Sequence, residues 1–127
     1  MALPTDPTAF AEHWVKGWNN HDVEAVLSHF RDDCTFASPI AVQLLGGDGV
    51  ISGKQALRDY WTTALERVPD LHFEVLGVFT GIDIIVIRYR NQRGNEVSEV
   101  LEFDADGLVH TGYGTYVGVG GNPAGAR

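Results

Sequence analysis

Beyond residue 70 the chain loses helical spacing and becomes a train of strands. Leu71 to Phe79, Asp83 to Arg90, Val97 to Phe103 and Leu108 to Val117 each alternate on a two-residue period. The breaks between them are Thr80-Gly81, the hairpin loop Asn91 to Asn95, and Asp104-Ala105-Asp106-Gly107. Four strands joined by short turns make an antiparallel sheet. Such a sheet twists and needs one face covered.

The first half supplies the cover. Asp6-Pro7 reads as an N-cap followed by proline at the first helical position. Phe10, Trp14 and Trp18 recur every four residues, with Gly17 beside them, as one aromatic stripe. Asn19-Asn20-His21 breaks that helix, and Asp22 caps a second one burying Val23, Val26, Leu27 and Phe30. Cys34 to Ser38 reads as a short strand ended by Pro39, and Leu45 to Gly49 as a flexible loop. Ser52 with Gln55 is the capping box of a third helix, which buries Ala56, Leu57, Tyr60, Trp61, Ala64 and Leu65 and stops before Pro69. Helices first and antiparallel strands afterwards is the α+β pattern. The expected architecture is three N-terminal helices packed in the concave face of a strongly curved, mixed but mostly antiparallel sheet. It leaves a cone whose mouth is lined by side chains. The 127 residues make one domain, with Gly-rich residues 118–127 as a flexible tail.

Charge narrows the partners. The net charge is -8 with no run of Lys or Arg, which argues against nucleic acid and against an anionic membrane surface. The longest wholly apolar run is Ile84 to Ile87, far short of a membrane span. Cys34 is the one cysteine, so no internal disulfide and no cysteine metal motif exist. His13, His21, His29 and His72 show no metal-ligand spacing, and no metal or cofactor is expected. With no secretory signal visible, a cytoplasmic location is expected.

Glu99 stands out chemically. On the alternation Val97, Glu99, Leu101, Phe103 it shares a face with apolar residues. A carboxylate placed inward is costly unless paired or neutral, and such groups mark polar networks or working sites. If Phe103 pairs with Leu108, then Leu101 faces His110 and Glu99 faces Gly112. Glu99 and His110 become diagonal neighbours, a workable acid–base couple. Gly112 and Gly114 would leave room for a ligand on the same face. Trp14, Trp18, Phe36, Trp61 and Phe73 would wall it. Tyr116 would reach its mouth. Arg88 and Arg90 share the opposite face with Val86 and pair with Glu74, Glu96 or Glu102.

Several segments together resemble a known superfamily. Asn20-His21-Asp22-Val23-Glu24-Ala25-Val26-Leu27, Asp32 to Pro39, Gly53-Lys54-Gln55-Ala56-Leu57 and Phe103-Asp104-Ala105-Asp106-Gly107-Leu108-Val109 are similar to the nuclear transport factor 2-like fold. Within it the chain is most similar to the SnoaL-like and ketosteroid-isomerase-like group, from Phe10 to Val117. The resemblance implies a small-molecule pocket and a homodimer through the outer sheet face, for which Ile85, Ile87 and Tyr89 offer apolar surface. It does not imply steroid isomerisation. The position of that family's basic Asp holds Ser38, whose unassisted hydroxyl cannot take up a proton near neutral pH. Its oxyanion tyrosine falls on Trp14, and two supporting tyrosines on Phe30 and Trp61. Its protonated pocket acid falls on Glu99.

Two functions stay open. The first is a cofactor-free SnoaL-like enzyme doing isomerase, cyclase or hydratase/dehydratase chemistry on an apolar, cyclic substrate. Glu99 and His110 are its catalytic pair, and Trp14, Trp18, Phe36, Ser38, Trp61, Phe73 and Tyr116 bind substrate. The second is a non-catalytic binding or accessory protein using the same pocket.

Overall fold

The computed structural model describes residues 4, 6–119 and 122–123. In chain order it has helix α1 (Pro7–Asn19), α2 (Val23–Leu27), strand β1 (Phe30–Ala37), α3 (Pro39–Leu45), β2 (Val50–Ser52) and α4 (Lys54–Arg67). Strands β3 (Glu74–Gly81), β4 (Ile84–Arg90), β5 (Glu96–Phe103) and β6 (Val109–Tyr116) follow. A two-residue ribbon, β7 (Gly118–Val119) with β8 (Asn122–Pro123), ends the described chain. The remainder of the expected tail, residues 120–121 and 124–127, lies outside the described residues. Among the described residues no helix is long and apolar enough to cross a membrane.

Six strands form one open sheet in the order β2-β1-β6-β5-β4-β3. Every neighbouring pair is antiparallel except β1 with β6. This is the expected α+β architecture with a mixed, mostly antiparallel sheet. Its inner face carries Ile85, Ile87 and Tyr89 from β4 and Val97, Glu99, Leu101 and Phe103 from β5, all buried. The aromatic stripe of α1 packs on it: Phe10, Trp14 and Trp18 are buried, and Phe10 meets Phe103 edge-on. Gly17 lets α2 approach, because a Cβ there would lie 3.0 Å from Val26 Cγ2.

Local chemistry explains most helix starts. Asp6 accepts from the Ala9 N–H at 3.1 Å, and Asp22 from the Ala25 N–H at 3.1 Å. Three expectations need correction. Phe30 belongs to β1 rather than to the second helix, which is a single turn. Ser52 is a β2 residue, and the residue before α4 is Gly53, which has no side chain with which to cap. The segment after Ser38 is helical: Ser38 caps α3 by accepting from the Ile40 N–H at 3.1 Å, with Pro39 at the first helical position. That short helix was not expected.

The outward parity of β4 also differs. Ile85, Ile87 and Tyr89 point inward, so they offer no outer surface. The outer residues include Val86, Arg88 and Arg90. Arg88 meets Glu96 at 2.8 Å and Arg90 meets Glu74 at 3.2 Å, as expected. The register aligns Phe79, Val86, Val100, Tyr113, Ala37 and Val50 in one apolar row across all six strands.

Candidate functional site

Glu99 sits on β5 opposite Gly114 of β6 and Ile87 of β4. It is 4% exposed. Burial is the cause that lifts its carboxyl from the ordinary 4.5 to about 8. The group is therefore largely protonated at neutral pH and can donate a hydrogen bond or a proton.

It borders a cavity of about 110 Å³ enclosed between the sheet, α3 and α4. The walls hold Trp18 from α1, Phe36 and Ser38 around the end of β1, and Tyr60, Trp61 and Ala64 from α4. Val68, Leu71 and Phe73 come from the segment between α4 and β3, and Tyr89, Asn91 and Gln92 from the end of β4 and its hairpin. Tyr116 closes the far side. Trp61 is the hub of the aromatic wall, edge-on to Trp18 at 5.0 Å, to Phe30 at 5.4 Å and to Phe36 at 5.5 Å between centroids.

Three phenols surround Glu99. The proximity of Glu99 adds to burial in raising the pKa of Tyr60, Tyr89 and Tyr116; Tyr60 is pushed up to about 12, chiefly by burial. The Ser38 hydroxyl opposes part of that rise at Tyr60 and Tyr116. It lies over Gly114, where a Cβ would stand 3.3 Å from Ser38 Oγ and 3.4 Å from Tyr116 Cε1. A side chain on Gly114 would crowd the two hydroxyl-bearing residues beside Glu99. Gly112 serves Phe36 in the same way, since a Cβ there would meet the Phe36 ring at 2.7 Å.

Of the nine residues singled out in the sequence, seven border this cavity: Glu99, Trp18, Phe36, Ser38, Trp61, Phe73 and Tyr116. Trp14 does not. It lies behind the wall, 1% exposed, stacked on Phe73 at 5.9 Å and tilted on Tyr89 at 5.4 Å. His110 is not brought to Glu99 either. Phe103 pairs with Val109 rather than Leu108, and the register shifts between Glu102 and Phe103, so Glu102 faces Thr111 and Glu99 faces Gly114. Four residues along β6 separate His110 from Gly114, about 13 Å at the usual strand rise. His110 Nδ1 instead lies 2.8 Å from Thr111 Oγ1, and its charge acts on Asp33.

Tyr60, expected in the buried face of its helix, Tyr89, expected on the outer sheet face, and Asn91, expected only in a hairpin loop, all border the cavity as well. Tyr60 shares its helix face with Trp61, and nothing in the periodicity separates a core tyrosine from one facing a cavity. Asn91 holds its own hairpin: its Oδ1 accepts from the N–H groups of Arg93 at 3.0 Å and Asn95 at 3.1 Å.

The rim is tied to α1. Asn19 Nδ2 donates to the Phe73 carbonyl at 2.9 Å, and the Phe73 N–H donates to Asn19 Oδ1 at 2.7 Å. His21 Nε2 lies 3.0 Å from the Leu71 carbonyl. Leu71 and Phe73 both line the cavity, so these contacts fix part of its wall against α1 and the turn after it.

Comparison with known proteins bears on the same stretch of chain. A family model described as SnoaL-like domain matches residues 11–113. A SnoaL-like protein of unknown function from Burkholderia thailandensis is 38% identical, covering 88% of this chain and 95% of its own, with a TM-score of 0.83. A cystatin-fold protein from Novosphingobium aromaticivorans is 21% identical over 87% of this chain and 98% of its own, with a TM-score of 0.70. TerC, co-crystallised with polyporic acid, is 15% identical over 88% of this chain and 92% of its own, with a TM-score of 0.72. The last two share the fold alone. No curated protein matches the chain.

Proposed function

We propose, from the premise that this chain belongs to the SnoaL-like domain family, that its cavity carries out acid–base chemistry on a small, apolar, cyclic molecule. The family supports a small-molecule role; the reaction and the residues are our reading. The observation that carries it is a protonatable carboxyl at the cavity wall, Glu99, held at about 8 by burial. A group that titrates near neutrality both gives and accepts a proton efficiently. Isomerisation, cyclisation, and hydration or dehydration need only such a donor and acceptor, correctly placed, and no cofactor. Glu99 is the acid–base group, Tyr60, Tyr116 and Ser38 orient an oxygen of the substrate, and Trp18, Phe36, Trp61 and Phe73 hold its apolar body. His110 and Trp14 drop out of the mechanism on position.

The alternative, a binding protein without turnover, is favoured by one specific observation. Among the described residues no second carboxyl and no imidazole borders the cavity, and the place of the related isomerases' base holds the Ser38 hydroxyl. Glu99→Gln separates the readings. With an identified substrate, the enzyme reading expects turnover to fall at least 10³-fold, within the range of general acid–base catalysis, while ligand binding is kept. An unchanged rate removes Glu99 from the reaction.

We further infer a homodimer through the outer sheet face, a single domain and a cytoplasmic location. The apolar row from Phe79 to Val50 supports the dimer.

A further inference from the structure

We propose that the small, otherwise apolar occupant of the cavity carries one positively charged nitrogen group, an organic ammonium, held between Glu99 and the aromatic walls. This rests on the pocket reading above and names the chemistry of what the pocket takes.

Aromatic residues make up seven of the sixteen that line the cavity, and none of the sixteen is Lys, Arg or His. Aromatic rings present electron-rich faces that attract cations, most strongly where water is excluded. Glu99 is the one carboxyl group among the described residues that line the cavity. It belongs to none of the ion pairs among the described residues, which lie elsewhere on the molecule. A buried carboxyl without a counter-charge keeps its proton, and a cation placed beside it lets it ionise. Among the described residues no basic side chain lines this wall, so a cationic ligand is the source the site can use.

Other ligand classes use the site less fully. An anion would meet a carboxyl and ring faces with no basic side chain to hold it. A molecule with no charge at all fills the volume but leaves Glu99 protonated and the ring faces without a cation. A cation alone makes the rings of Trp18, Trp61, Phe73 and Tyr89 and the Glu99 carboxylate act in the same direction. Size agrees: an engineered apolar cavity of ~150 Å³ takes benzene. A cavity of about 110 Å³ suits a head group somewhat smaller than that ring. The net charge of -8 favours the approach of a cation.

The pH dependence is readable because few groups face Glu99. They are Tyr60 from α4, Tyr89 from β4 and Tyr116 from β6, with the neutral Ser38 hydroxyl. All three phenols are shifted up and keep their protons at pH 6 and at pH 9. Between those values Glu99 is the one lining group that changes charge.

The test uses choline and 3,3-dimethyl-1-butanol, its uncharged carbon isostere, as probes. Binding is followed by calorimetry and by Trp fluorescence at pH 6 and pH 9, in the full chain and in Glu99→Gln. Choline should bind at least tenfold more tightly than the alcohol at pH 9. That preference should shrink severalfold at pH 6 and be lost in Glu99→Gln at pH 9. Equal or tighter binding of the alcohol to the unaltered chain at pH 9 overturns the proposal, and so does a preference that survives in Glu99→Gln. The alcohol arm reads the pocket independently of charge. Its binding without choline's leaves the functional reading standing and sinks this one, whereas binding of neither probe sinks the head-group pocket itself.

Discussion

A carboxyl whose folded-state pKa lies above its unfolded value penalises the fold as it ionises. For Glu99 the two values are about 8 and 4.5. The native state therefore holds an extra proton between them, and stability falls as pH rises through this window. Below pH 4.5 the penalty is absent, and above pH 8 it is complete. At 1.36 kcal/mol per unit it reaches roughly 5 kcal/mol, an order-of-magnitude figure. Denaturant unfolding of the unaltered chain should show this decline, and Glu99→Gln should flatten it and be the more stable protein at pH 9. A flat profile in the unaltered chain would place Glu99 in contact with water. His29 acts at the other end. Burial, then His13 at 2.7 Å, brings its imidazole down to about 4, so its contribution is whole above pH 6.5 and is lost as pH falls toward 4.

Among the elements, β6 is set by its glycines. Gly112→Ala would drive a methyl against the Phe36 ring, where a Cβ would lie 2.7 Å away. The expected cost is about 1–3 kcal/mol in a denaturant melt, while Gly107→Ala would be strained by its φ of 80° instead. Asn19→Ala removes both bonds to the Phe73 peptide. It should cost about 1–3 kcal/mol and speed amide exchange at Phe73 ahead of the sheet centre. Amphipathic spacing made α1, α4 and the four long strands legible in the sequence, as it did the inward turn of Glu99. The bulge between Glu102 and Phe103 was not legible, because inserting a residue into a ladder leaves alternation intact on both sides while moving the partners. That movement carried His110 away from Glu99. Strand β4 was ambiguous for another reason: Ile84 to Ile87 is apolar on both faces, so parity rests on Arg88 and Arg90. The helix α3 was hidden because Ser38-Pro39 ends a strand and begins a helix with the same two residues.

Across the whole molecule, the inner sheet face is spent on helices and cavity, and the outer one is left with an apolar row flanked by polar neighbours. Phe79 and Val50 at its ends are 55% and 49% exposed. Arg88, Ser98 and Thr115 border the row on one side, and Glu102, Thr111 and Thr35 on the other. Such a stripe suits a self-complementary two-fold contact. Val100→Glu, at its centre, should turn a dimeric mass into a monomeric one in light scattering without altering the fold's circular dichroism. A monomer from the unaltered chain at micromolar concentration would end the dimer proposal. Leu71 and Phe73 of the cavity wall are held through their backbone. Asn19 and His21 grip main-chain atoms of Phe73 and Leu71, so the fastening is blind to which side chains stand there. Exchanging Leu71 for a bulkier or smaller neighbour should reshape the cavity wall while these backbone contacts persist, which makes this stretch a place where new selectivity can be written at little structural risk.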